Sequence, residues 1–297
     1  MDMRDGMRPL EDGVRTDFRG EMDYGAYLDL DRLLSAQHPL SEPEHPDELL
    51  FIIQHQTTEL WLKLMTHELL RARELLGADA LTRALKTLSR VKQIQRTLAE
   101  QWSVLMTLTP AEYAEFRGAL GSSSGFQSAQ YRCVEFLLGN KNPAMLRVFE
   151  GAPAVHETLE SLLHEPTVYD SFLRLLARRG YAIPDEVLHR DVSCAWEEHP
   201  SLIPVLKAVY EDVDGHWDVY EACETLVDIE DAFQLWRFRH MRTVQRTIGF
   251  KTGTGGSSGV SFLRRALDLT FFPELISVRT EIEAHGVEVH GVEVQGA

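Results

Sequence analysis

The feature that most constrains this chain is an apolar period of three and four residues that runs through most of its length. Between residues 81 and 105 it is nearly uninterrupted: Leu81, Leu85, Leu88, Val91, Ile94, Leu98, Trp102 and Leu105 fall on one helical face, with Arg and Lys outside it. Successive apolar residues three and four apart lie above one another on an α-helix, and they would alternate between the two faces of a strand. Runs of alternating β-branched residues bounded by turn dipeptides are missing, so the expected fold class is all-α, a helical bundle.

The same period places the other elements. A short helix is expected over Tyr24 to Ala36, ending before HPLSEPEHP, whose three prolines break helices. A long one follows from Asp47 to about Leu76. There Leu49, Ile53, Leu60 and Leu64 form one stripe, and Phe51, His55, Thr58 and Leu62 a second, which predicts a helix buried inside the bundle. Shorter helices are read over Pro110 to Gly118 and Phe126 to Leu138. The proline-broken stretch 143–204 reads as an insertion or cap. A long helix from Trp217 to Ile248 is terminated by Gly249, with Leu226, Ile229, Phe233, Trp236, His240 and Val244 facing inward. A last apolar stretch covers Phe262 to Leu275. The tail carries HGVEV twice (His285 to Val289, His290 to Val294) and reads as a frayed acidic end. The expected organisation is a flexible N-terminus (1–19), a single all-α domain (20–280) and a disordered tail (281–297).

Composition narrows the partners. A net charge of −16 without a basic block disfavours nucleic acid and anionic membrane surfaces. No run of about 18 uncharged apolar residues is present, so no bilayer span is expected. The opening MDMRDGMRPLEDGVRTDF mixes both charge signs and lacks the apolar stretch of a secretory signal. Cys133, Cys194 and Cys223 are scattered and odd in number, without metal-site spacing; reduced thiols in a cytoplasm are expected.

Two histidines stand where their stripes call for apolar residues. His240 lies one turn after Trp236 and one before Val244; His55 lies one turn after Phe51. For either one alone, a core histidine bonded to a neighbouring carbonyl is the favoured reading. The alternative for His240 is an axial haem ligand, since a neutral imidazole can bind iron in an apolar bundle. The spacing from His55 to Glu59 is not that of a zinc peptidase. Two such histidines on two long helices shift the balance toward a shared site.

Two Gly/Ser loops compete for attention. Gly121 to Gly125 and Gly255 to Gly259 both satisfy G-x-S-x-G, with Ser123 and Ser257 central. A nucleophile elbow needs a strand before the serine, and helices precede both loops, so a serine hydrolase is disfavoured. KTGTGGSSG lacks the G-K-[ST] ending of a phosphate-binding loop. Such loops can instead bring backbone N–H groups and small hydroxyls close to a ligand. Arg117 is either a surface arginine or a fork for a carboxylate. Arg237, Arg239, Arg242 and Arg246 flank His240 and read as a solvated or salt-bridged face.

Six stretches taken together resemble the tryptophan 2,3-dioxygenase family. They are Tyr24-Gly-Ala-Tyr27-Leu28, DELLFIIQHQTTELWLK (Asp47 to Lys63), QWSVLMTLTPAEYAEFR (Gln101 to Arg117), GSSSGFQSAQYR (Gly121 to Arg132), WRFRHMRTVQRTIGFKTGTGGSSG (Trp236 to Gly259) and FFPEL (Phe271 to Leu275). The resemblance spans residues 20 to 280 and excludes the first nineteen residues and the HGVEV tail. It implies a homotetramer with N-terminal arms exchanged between subunits, a bundle enclosing haem b that is ferrous when active, and oxidation of L-tryptophan by O2 to N-formyl-L-kynurenine. It places His240 as the proximal ligand, His55 beside the indole nitrogen, Arg117 on the substrate carboxylate and Thr254 near its ammonium. Phe51, Tyr113 and Leu120 match the substrate pocket. Ser124, Gly125, Tyr131 and Trp102 match the surroundings of the cofactor. Tyr24, Tyr27 and Leu28 would reach a neighbouring subunit's site. A non-catalytic haem sensor is the main rival, and it would lack the Arg117–Thr254 clamp.

Overall fold

The computed structural model describes residues 10–283, and every regular element among them is a helix. The HGVEV repeat lies outside the described residues. Three long helices form the frame: α3 (Glu48–Gly77), α4 (Leu81–Leu105) and α11 (Trp217–Ile248). All eight apolar residues of the 81–105 stripe are buried. Removing a leucine-sized side chain from water contributes about 1.5–3 kcal/mol, so this face alone commits α4 to the interior.

A tight turn joins α3 to α4 and reverses the chain. Ala80 donates its N–H to the carbonyl of Leu75, and Asp79 takes φ 55°. Arg179 grips the Asp79 carboxylate at 2.7 Å and Asp218 at 2.7 Å, tying this turn to the start of α11. Across the antiparallel pair, Glu68 accepts from Arg90 and Gln101 from Thr58.

Helix α11 runs parallel to α4, and polar bonds hold its register. Lys92 reaches Asp228 (2.7 Å), Gln95 donates to the carbonyl of Ile229 (3.1 Å), and Arg239 donates to the carbonyl of Ala99 (3.0 Å). Trp102 and His240 meet one turn further along.

The stretch 143–204 is not a cap. It supplies α7 (Pro153–His164) and α8 (Val168–Arg178), and α8 packs directly on α3. Val168, Tyr169, Phe172, Leu173, Leu175 and Leu176 join the same core as the long helices. Thr167 and Asp170 form a reciprocal capping box that starts α8 immediately after Pro166. The prolines punctuate short amphipathic helices here; they do not mark an excursion from the core.

Other expectations are corrected at the edges. The first helix breaks in two, α1 (Tyr24–Leu28) and α2 (Leu30–Leu34), because Asp29 adopts a left-handed φ of 52° between them. The Leu49/Ile53/Leu60 stripe is not buried: these residues are 43%, 43% and 50% exposed. The helix is apolar on two faces, and within one chain only one of them is covered. Of the two forms expected for the arginines around His240, solvated or salt-bridged, Arg237 takes the salt-bridged one, buried and paired with Glu135 at 3.1 Å and bonded to the Leu269 carbonyl.

The C-terminal helix α13 (Pro273–Glu281) docks through buried carboxylates. Glu230 of α11 accepts the backbone N–H groups of Phe271 (2.6 Å) and Phe272 (3.1 Å). Glu274 accepts from the Trp196 indole (3.0 Å), the His199 N–H (2.7 Å) and the Tyr169 hydroxyl (3.2 Å). Burial raises the pKa of both carboxyl groups, while these donors favour the ionised form. Glu274→Ala is therefore expected to strand several buried donors and to cost about 2–4 kcal/mol, seen as a lower urea midpoint. The exposed Glu281→Ala serves as the comparison and should stay within about 0.5 kcal/mol of the parent.

Candidate active site

One wall of the site comes from α3 and α5 (Pro110–Phe116). A one-turn spacing on α3 sets Phe51 and His55 side by side, ring centroids 4.2 Å apart. Thr109 and Glu112 cap α5 reciprocally, with Pro110 at its first position, so the helix starts at a defined place. That start delivers Tyr113 and Phe116 to Phe51, each at 5.8 Å.

The His55 imidazole lies with Nδ1 2.7 Å from the Phe51 carbonyl oxygen. A carbonyl can only accept, so Nδ1 carries the proton and Nε2 keeps its lone pair. Burial lowers the His55 pKa, with the Phe51 bond opposing, so the neutral form dominates near neutral pH. His55 thus presents a hydrogen-bond acceptor at Nε2.

Arg117 follows α5 directly and begins the 3-10 turn Arg117–Leu120. Its guanidinium donates to the carbonyl of Thr252 at 2.6 Å and lies beside the Tyr113 hydroxyl, whose pKa is raised by burial and partly restored by Arg117. The two Gly/Ser loops, more than a hundred residues apart in sequence, meet here. Thr254 donates its hydroxyl to the carbonyl of Ser123. Gly255 crosses Ser124 so closely that an added Cβ would sit 2.7 Å from the serine Cβ, which only glycine avoids. Arg117, Ser124, Thr254 and, through Tyr113 and Phe51, His55 therefore form one continuous set of contacts. Leu120 is partly buried against the core at the end of the same turn.

The opposite wall is built from α4, α6 (Ala129–Leu138) and α11. The His240 ring stacks on Trp102 with centroids 4.8 Å apart and planes 8° from parallel. Trp236, one turn earlier, meets His240 at 5.7 Å and Tyr131 of α6 at 5.4 Å. Behind Tyr131, Glu135 is bracketed by Arg132 and Arg237. Burial pushes the His240 pKa down to about 4, with the charge of His55 adding to the shift. Both histidines keep some accessible surface.

These properties fit haem. A neutral imidazole has a lone pair that can bind iron, and flat aromatic walls suit a macrocycle. The indole N–H groups of Trp102 and Trp236 are buried without an acceptor among the described residues. The residues drawn into the site thus include His55, Phe51, Tyr113, Arg117, Thr254 and Ser124 on one side, and His240, Trp102 and Tyr131 on the other. Gly125 adjoins Ser124, and a Cβ there would meet open space. Tyr24, Tyr27 and Leu28 are not drawn in: they are 75%, 77% and 39% exposed on α1. The sequence assigns no site role to Trp236, Phe116, Gly255 or the Thr252 carbonyl. Trp236 carried a signal, its position one turn from His240; the backbone carbonyl carried none.

A family model described as tryptophan 2,3-dioxygenase matches residues 9–208 and 202–282. A tryptophan 2,3-dioxygenase of Saccharopolyspora erythraea is 66% identical, covering 93% of this chain and 98% of its own length. One from Rhodococcus jostii is 63% identical over 95% of this chain and 99% of its own. One from Xanthomonas campestris is 59% identical over 93% of each. The chain belongs to the tryptophan 2,3-dioxygenase family.

Proposed function

We propose that this chain uses haem b to oxidise L-tryptophan with O2, cleaving the indole C2–C3 bond to give N-formyl-L-kynurenine. The observation that carries the reading is the geometry of two histidines, His55 with its tautomer set by the Phe51 carbonyl and His240 stacked flat on Trp102. His240 would hold ferrous haem, with Trp102, Tyr131, Ser124 and Gly125 around it, and the haem would supply the activation of dioxygen that indole carbons lack.

The protein's own residues align the substrate. The fork of Arg117 binds the carboxylate through parallel charge-assisted hydrogen bonds, and Thr254 takes the ammonium group. Phe51, Tyr113 and Leu120 enclose the indole and exclude water. His55 accepts the indole N–H at Nε2, which fixes the ring's orientation. Neutral imidazole is too weak to deprotonate indole readily, so His55 is a positioning partner and not an obligatory base. Holding both charged ends and the ring nitrogen converts a loose encounter into a near-attack arrangement.

The exposed Tyr24, Tyr27 and Leu28, with the exposed Leu49, Ile53 and Leu60, support a homotetramer in which α1 covers a second copy's site. The proposed boundaries are a single catalytic domain over 20–280, with a flexible segment (1–19) before it and a disordered tail (281–297) after it. No helix among the described residues is long and apolar enough to cross a membrane, and with three free cysteines the proposed location is cytoplasmic.

The direct test is to load the purified chain with haem, reduce it, and supply L-tryptophan and air. N-formylkynurenine formation is expected, and its absence overturns the proposal. His240→Ala should abolish haem retention and turnover, whereas His55→Ala should leave measurable turnover; wild-type rates in the first would remove the ligand assignment.

Arg117→Ala should lower kcat/KM for tryptophan by about a hundredfold, roughly 3 kcal/mol. Tryptamine, which has no carboxylate, should react equally slowly with parent and variant. The acid limb of kcat/KM should lie below the ordinary imidazole value of about 6.5, because burial keeps His55 neutral into more acid solution. In the haem-free chain the depressed His240 makes the unfolded state the stronger proton binder. Stability should therefore fall as pH drops from about 6.5 to about 4, as denaturation midpoints would show.

A further inference from the structure

Imidazole ligands in metal sites are usually held in plane by a hydrogen bond from the second ring nitrogen to a carboxylate or carbonyl. The torsion of a histidine ring about its Cβ–Cγ bond is broad and roughly two-fold, so the plane of the His240 ring needs a constraint from its surroundings. Trp102 is placed to supply it. Its indole lies flat on the imidazole at 4.8 Å and 8°, while Trp236 meets the same ring at 5.7 Å and 37°. The two tryptophans also contact each other at 5.8 Å, which restrains the indole itself.

The stack has a rigid base. Arg239, the residue before His240, donates to the carbonyl of Ala99, one turn before Trp102 on α4. Lys92–Asp228 and Gln95–Ile229 hold the same register further back. Trp102 is 5% exposed, so its plane is also fixed by the surrounding core.

We propose that Trp102 is a positioning residue: its indole face sets the plane of the His240 imidazole, the ring that would hold haem iron. The proposal rests on His240 as the axial ligand.

The test compares Trp102→Leu, which keeps apolar bulk but loses the ring plane, with Trp102→Phe, which keeps a flat face. Each is purified with haem and reduced, and the iron–histidine stretching band is recorded by resonance Raman beside kcat and KM. Trp102→Leu should broaden or split that band and lower kcat about tenfold, with KM for tryptophan within about twofold of the parent. Trp102→Phe should restore a single band and most of kcat. A parent-like band in Trp102→Leu would overturn the proposal. So would equal loss of haem from both variants, because Trp102 would then act through bulk alone. If the parent shows no iron–histidine band, or His240→Ala retains it, the ligand reading fails instead, and the two failures are distinguishable.

Discussion

The register of α11 against α4 governs much of this molecule. Two helices packed through apolar ridges alone can slide by a turn at modest cost. Here Lys92–Asp228, Gln95 to the Ile229 carbonyl and Arg239 to the Ala99 carbonyl pin the pair over about three turns. The consequence is local and chemical: Trp102 meets His240 ring to ring, and Trp236 closes on both. Displacing α4 by one turn, about 5.4 Å, would put Leu98 or Leu105 against the imidazole instead.

Around that pair, the buried carboxylates are each matched by donors. Glu135 is satisfied by Arg132 and Arg237, and Glu230 and Glu274 take donors from the C-terminal segment. These groups anchor α6 and α13 to the frame, with guanidiniums and N–H groups compensating each carboxylate. His240 and His55, by contrast, are left to desolvation, which keeps both imidazoles unprotonated. Neutral rings are what metal ligation and acceptance of an N–H require. The strongly negative net charge of the chain therefore says nothing about its centre.

The opposite half of the site depends on two loops meeting. Thr254 to the Ser123 carbonyl and Arg117 to the Thr252 carbonyl join segments far apart in sequence, and Gly255 lets them cross beside Ser124. The Gly/Ser composition that produced accidental nucleophile-elbow matches is explained by this close crossing, with a helix before each loop in place of a strand.

Periodicity alone established the all-helical class, the long helices α3, α4 and α11 and the inward face of α4, since residues three and four apart must share a side of a helix. It placed His55 and His240 on inward stripes but could give neither a role; for each, a core histidine was the better reading. Matching motifs supplied the roles, and the fold brought most of those residues together. Other features were decided only by tertiary structure. The 143–204 stretch proved to be core because α8 lands on α3, a contact its local proline pattern does not encode. The Leu49/Ile53/Leu60 face stayed exposed because periodicity shows that a stripe is apolar, not what covers it. The partners of His55 and His240 are likewise tertiary facts: a carbonyl one turn back for one, an indole face from another helix for the other.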